Sequence, residues 1–301
     1  MRTSAALILL AVLLPSPGRA EVYRDAGAAA YQFLKLEVSP RASALGGTVL
    51  LNSGAFGVLG SPAAPAALES GQFAATHAEY FGSTVQNCIG IVRLLGPIAV
   101  SGGISSVSTS GLELRDEASS EPEGTFSCWD IAVAGGAAFR SGIFDAGVSA
   151  KLIREKIWLD GSWGFTIDAG VTAHPAPWLE TAAAVLNLGP SLHCTGYESF
   201  RTPLTLRSGA RLTARIPYSG ETSLTAEVFK PIDNEPEGSF GLESRPYGWL
   251  ALRAGERLGS DSRGFSAGLG LETGGWGLDY AWVPGRYALG DIHRISLSRC
   301  L

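Results

Sequence analysis

From Gly71 to Leu301 the sequence keeps a period of two. Trp163, Phe165, Ile167, Ala169 and Val171 fall on one face of an extended chain, and Gly164, Thr166, Asp168, Gly170 and Thr172 on the other. The same split sets Leu204, Leu206, Ala210 and Leu212 against Thr205, Arg207, Gly209, Arg211 and Thr213. It also sets Trp276, Leu278, Tyr280 and Trp282 against Gly277, Asp279 and Ala281. Successive side chains of a strand point to opposite faces, so each segment reads as a β-strand with one apolar and one polar face. About fourteen such segments of roughly 9–13 residues follow one another, each near the length of a tilted membrane-spanning strand.

A soluble β-sandwich alternates too, with its apolar faces turned inward. Two features favour a closed barrel in a membrane. Aromatic residues gather at strand ends (Trp129, Phe139, Phe144, Trp158, Trp163, Trp178, Trp249, Trp276 and Trp282), as in the girdles of a transmembrane barrel. Gaps after even-numbered segments are tight, as at Gly96-Pro97 and Thr273-Gly274, whereas those after odd-numbered segments include 108–124 and 189–202. Short turns at one end and longer loops at the other are the outer-membrane rhythm. An even count lets the first and last strands pair and abolishes the sheet edges.

Residues 1–20 read as a signal peptide: Arg2, the apolar run Ala5 to Leu14, then Gly18-Arg19-Ala20 before a cleavage point. Residues 21–70 are Ala-, Gly- and Pro-rich and too few to build a core of their own. They read as a plug that starts at the periplasmic end and leads into the barrel of residues 71–301. Within the plug, Ala26 to Leu36 reads as a short helix, Pro40 to Gly47 as a turn, and Ser61 to Leu68 as a further helical turn.

The formal net charge of −5 and the lack of any Lys/Arg run exclude a nucleic-acid partner. Cys88, Cys128, Cys194 and Cys300 are widely spaced without a CxxC, so they read as isolated strand residues. His77, His174, His193 and His293 form no HxxxH, and no GxSxG sits between a strand and a helix, so neither a metal centre nor a hydrolase is expected. Gly102-Gly103, Gly135-Gly136 and Gly274-Gly275 precede no helix and make no phosphate loop, and no cofactor is implied. The polar faces carry Asp130, Asp168, Arg207, Arg211 and Asp279, which read as a charged lumen lining. Arg41 of the plug is expected to pair with a lumen carboxylate such as Asp168 or Asp279.

Several motifs, in order along the chain, resemble the PorV/PorQ family of outer-membrane proteins. They are Gln32-Phe33-Leu34-Lys35-Leu36, Pro40-Arg41-Ala42-Ser43-Ala44-Leu45-Gly46-Gly47, Asn187-Leu188-Gly189-Pro190 and Pro203-Leu204-Thr205-Leu206-Arg207-Ser208-Gly209. Leu250 to Gly255, Asp279-Tyr280-Ala281-Trp282 and Gly290-Asp291-Ile292-His293-Arg294-Ile295-Ser296-Leu297 continue the match. The resemblance implies an all-β, fourteen-stranded barrel like the FadL-type transporters, with an N-terminal segment folded into the lumen. It also implies a role beside secretion-machinery proteins of the type IX kind. The alternative is passive passage of a small hydrophobic molecule. On either reading the protein is a non-enzymatic barrel exported to the bacterial outer membrane and embedded in its lipid.

Overall fold

The computed structural model describes residues 26–115, 117–118, 120–192, 199–287 and 290–301. The signal-peptide reading of residues 1–20, His193 and Cys194 lie outside the described residues.

Fourteen antiparallel strands close into one barrel. The first seven are β1 (Gln72–Glu79), β2 (Thr84–Leu95), β3 (Ile98–Leu114), β4 (Gly124–Ser141), β5 (Phe144–Ile157), β6 (Asp160–Ala176) and β7 (Leu179–Leu188). The others are β8 (Thr205–Ile216), β9 (Gly220–Pro231), β10 (Glu237–Tyr247), β11 (Leu250–Leu258), β12 (Phe265–Thr273), β13 (Trp276–Val283) and β14 (Ile292–Cys300). Neighbours in sequence are neighbours in the wall, and β1 closes onto β14 from Gln72↔Cys300 to Glu79↔His293.

The period of two decides which way each side chain points. Phe165, Ile167 and Val171 are exposed on β6 while Thr166, Asp168 and Thr172 between them are buried. Leu206 and Leu212 of β8 are exposed while Arg207 and Arg211 face the interior. An exterior of exposed Ile, Leu, Val and Phe around a polar interior matches the lipid-facing and lumen-facing sides of a transmembrane barrel.

All the even-to-odd connections are tight turns, and this end is called lower below. Except for the two-residue turn 158–159 between β5 and β6, the upper end carries the longer connections, of which 189–204 is the longest. The loop expected over 108–124 is shorter than that, because β3 runs on past a bulge at Gly111 (φ 73°) and β4 starts at Gly124. At the upper end of β7 the wall steps down. Asn187 adopts φ 59°, β7 stops at Leu188, and β6 has no β7 partner above Ile167.

Residues 26–71 occupy the lumen, in short turns and helices packed on the inward faces of the strands. The helix expected over 26–36 is only a 3-10 turn, Gln32–Lys35, because Tyr31 before it takes a left-handed φ of 54°. The turn expected at 40–47 is instead a helix, Pro40–Ala44, with Pro at its start and Ser39 capping the Ala42 amide. Gly46 (φ 74°) and Gly47 (φ 90°) then reverse the chain. Gly54–Phe56, Gly57–Gly60 and Ala64–Ala67 supply three further turns, the last inside the expected 61–68 stretch.

The first described residues of the segment lie at the upper end. The Ala30 amide donates to the Arg201 carbonyl in connection 189–204, and Tyr31 Oη donates to the Trp163 carbonyl near the top of β6. From there the described chain descends the lumen into β1, and the start expected at residue 21 lies outside the described residues.

Candidate functional site: the filled lumen

The lumen is a contact surface between the N-terminal segment and the wall. Glycines on the inward faces let the two backbones approach. A Cβ on Gly241 would lie 2.5 Å from the Leu45 Cβ, and one on Gly268 2.5 Å from the Ala44 Cβ. Into that seat the Gly46 carbonyl accepts from Ser239 Oγ at 2.7 Å, and its amide donates to Ser266 Oγ at 3.0 Å.

Between residues 26 and 68 only three side chains are charged, Lys35, Glu37 and Arg41, and each pairs with the wall or its loops. Glu37 is gripped by Arg257 of β11 and by Arg263, both at 2.5 Å. Arg257 also holds Glu237 at 2.7 Å. Burial by itself would raise the Glu37 carboxyl; the Arg263 and Arg257 guanidiniums outweigh it and hold the group well below the ordinary carboxylate range. Lys35 meets Asp233 at 3.0 Å, and Gln32 donates to the same carboxylate at 2.7 Å. Burial pushes Asp233 up, and these hydrogen bonds pull it below its usual value.

Arg41 pairs with Glu243 of β10 at 2.7 Å, not with Asp168 or Asp279 as expected from sequence. Its helix lies toward β11–β14, which leaves Asp168 of β6 out of reach, and Asp279 of β13 is already taken by Arg253. Glu243 also receives Arg253 at 2.6 Å and Arg245 at 3.2 Å, and Arg253 reaches Asp279 at 2.5 Å. Arg207 joins Glu227 and donates to the Gly47 carbonyl at 2.9 Å. Arg211 holds Glu180 at 2.8 Å and donates to the Leu51 carbonyl and to Asn52.

Asp168 and Asp130 lie apart from these pairs. Asp168 is buried within the wall, paired with Lys151 at 2.7 Å and accepting from the Asn187 amide at 2.7 Å, so it props the β7 step. Asp130 faces inward opposite Glu155, whose carboxylate takes a hydrogen bond from the Tyr31 backbone.

The opposite side of the lumen is apolar. Tyr31 and Phe33 pack with Val107, Ala132 and Ile153 of β3–β5, joined by Leu192. Ala55, Phe56, Val58 and Leu59 pack on Ala74, Cys88, Val92, Ala99, Ala134 and Ala138. At the lower mouth, between the segment and the wall from β10 round to β1, lies a cavity of about 380 Å³. Its lining is mixed, with Arg41, Arg245, Arg253, Glu272 and Asp279 facing Phe56, Leu68 and Trp276.

Glu37, Asp233, Arg257, Arg263 and Tyr31 were not singled out from the sequence. Glu37 had a signal, as the one acidic residue between positions 26 and 68. Among the described residues the histidines form no nucleophilic pair: His174 contacts Asp145 and Glu180, His77 contacts Asn87 and Glu79, and His293 contacts Tyr280. Among the described residues no group of three metal-ligating side chains converges.

This is a transmembrane β-barrel whose lumen is filled by its own N-terminal segment. No protein-family model matches the sequence, and no curated protein matches it. Among solved structures the chain is similar to a deltaS2S3 mutant of TodX, a monoaromatic hydrocarbon channel. The TM-score is 0.66 at 12% identity, over 89% of this chain and 100% of that one. It is similar to the P. putida toluene transporter TodX with a TM-score of 0.61 at 10% identity, over 89% of this chain and 99% of that one. A Pseudomonas aeruginosa FadL homologue gives 0.52 at 11% identity, over 87% and 97% of the two chains. At these identities the likeness is one of fold.

Proposed function

We propose that this protein is a passive outer-membrane channel for small hydrophobic molecules, closed by its N-terminal segment. The observation that carries this reading is the apolar cluster of Tyr31, Phe33, Val107, Ala132, Ile153 and Leu192 beside the step in the wall at β7. A charged, water-filled pore does not need such a surface in its lumen. Here two aromatic side chains of the segment occupy it, and Tyr31 does so from a left-handed backbone. The barrel neighbours named above, a toluene transporter and a hydrocarbon channel among them, agree with a solute of this class. The resemblance to PorV/PorQ sequences is the whole support for a secretion scaffold, and no feature of the lumen adds to it.

The test is toluene flux across asymmetric bilayers with a lipopolysaccharide outer leaflet, with and without the full-length protein. Flux above the protein-free bilayer is expected, together with a rise on Tyr31→Ala and little arabinose uptake. Toluene flux equal to that of the empty bilayer would sink the proposal.

A further inference from the structure

The outward rim at the upper end of the barrel is unevenly charged. On β5 the outward positions run Phe144, Ala146, Val148, Ala150, Leu152, and then Arg154 and Lys156. Leu152 is 52% exposed below them and Leu159 76% above, so the two cations, about 7 Å apart by strand rise, lie within the upper apolar edge. Each is flanked across the sheet by tryptophan. Arg154 lies opposite Trp163, with its guanidinium carbon 5.1 Å from that ring's centroid, and Lys156 lies opposite Trp129. Among the described residues, neither cation forms an ion pair with a carboxylate. Glu155 between them points inward to the Tyr31 backbone. Elsewhere on the same rim stand Glu79 on β1 and Glu256 on β11, the latter paired with Arg286 at 3.7 Å, with Asp291 just above β14.

From this juxtaposition we infer that the outer face of β4–β6 binds a phosphorylated glycolipid of the outer leaflet. Arg154 and Lys156 hold the phosphate, and Trp129 and Trp163 lie against the sugars. The inference rests on the outer-membrane reading above, which puts the long-loop end outside. A guanidinium fork matches phosphate oxygens, and an ammonium two residues along adds a second point charge. Interfacial cations that pair with no described carboxylate gain from an anionic lipid head. The binding face is therefore confined to one sector of the circumference.

The experiment titrates the purified full-length barrel with phosphorylated lipid A, dephosphorylated lipid A and phosphatidylglycerol, read by native mass spectrometry. The parent is expected to retain phosphorylated lipid A selectively. At about fivefold per cation, the double variant Arg154→Gln, Lys156→Gln loses roughly 25-fold in affinity. Arg215→Gln, at the lower end of β8, should bind as the parent does. Equal binding by the double variant and the parent overturns the inference, as does equal binding of the dephosphorylated lipid. Phosphatidylglycerol bound as tightly as lipid A overturns the glycolipid assignment. Heat-modified mobility on a gel shows whether the double variant is folded. Should it misfold, Arg154→Lys with Lys156→Arg, which keeps both charges, must then retain the lipid. Toluene flux in the same preparations separates the two readings, since the double variant should conduct as the parent does. A parent without flux fails as a channel and leaves the lipid titration standing.

Discussion

The two halves of the inner wall hold the same segment by different physics. From β1 to β7 the contact is mainly apolar: Val58 and Leu59 on Ala134 and Ala138, Phe33 on Ile153, Leu50 on Ala184 and Leu186, with Tyr31 adding hydrogen bonds to Trp163 and Glu155. From β8 to β14 it is ionic: Arg207, Arg211, Glu243, Arg253 and Arg257 reach segment backbone or a segment charge, directly or through one shared partner. The apolar half works with small wall residues, so seating depends on shape. Its ionic counterpart works with long side chains that reach across the lumen, so seating there depends on which charges are paired. A segment held this way has one face that responds to acid and salt and one that does not.

The largest expected effect comes from the ionic half. Glu243→Leu leaves Arg41, Arg245 and Arg253 converging without their shared carboxylate. Leaving buried partners unpaired costs about 3–5 kcal/mol. Urea unfolding in lipid vesicles should show that loss, and planar bilayers should show higher ion conductance. A variant as stable and as closed as the parent would break the comparison.

The outer face supplies the next test, because lipid contact should not distinguish the halves. Leu206→Arg on β8 places a charge in mid-strand on the exposed face. It should cost about 2–4 kcal/mol near the midplane, and Ile167→Arg on β6 should cost the same. Insertion into vesicles is the readout, and a large difference between the two would show that the halves also differ outside. On the apolar side of the lumen, Val58→Ala removes a fully buried side chain that lies over Gly103. At ~0.8 kcal/mol per methylene it should cost about 1–2 kcal/mol, unchanged between low and high salt. A salt-dependent loss would contradict the apolar assignment.

The strands were legible because lipid outside and water inside impose strict alternation, which one sequence displays directly. Trp163 to Val171 point where the period of two sends them. The lumen segment was not, because its shape is set by the wall. Ala-rich 26–36 is too short to nucleate a helix unaided, and Tyr31 is turned left-handed where it meets Gly164 and Trp163. Pro40–Ala44 is helical through its Ser39 cap and first-turn Pro, a signal carried by the sequence and outweighed by the small residues around it. The Arg41 partner was illegible for another reason: Glu243 lies 202 residues away, and only the register of β10 brings it within reach. That Arg41 would be paired was readable from its being one of three charges in a segment packed into a closed space.

The smallest expected effect is the response to acid, and its sign follows from Glu37. The carboxyl lies between Arg257 and Arg263, and those guanidiniums outweigh burial to keep it below its unfolded value. A depressed folded pKa contributes stability that is fully present above the unfolded carboxylate value, about 4.3, and is lost as pH falls below it. Asp233, lowered through Gln32 and Lys35 once burial is overcome, acts in the same direction. Both groups hold the stretch from Gln32 to Glu37, while Phe33 beside them rests on Val107 and Ile153, which do not titrate. Conductance should therefore be flat from pH 7 to 5 and rise below about pH 4.3, as only the ionic grip on the upper segment loosens. Glu37→Gln should conduct at neutral pH much as the parent does in acid, with a flatter response to further acidification. If the parent opened instead on raising the pH from 5 to 8, the grip would lie with histidine, and His174 between Asp145 and Glu180 would replace Glu37 as the group to change.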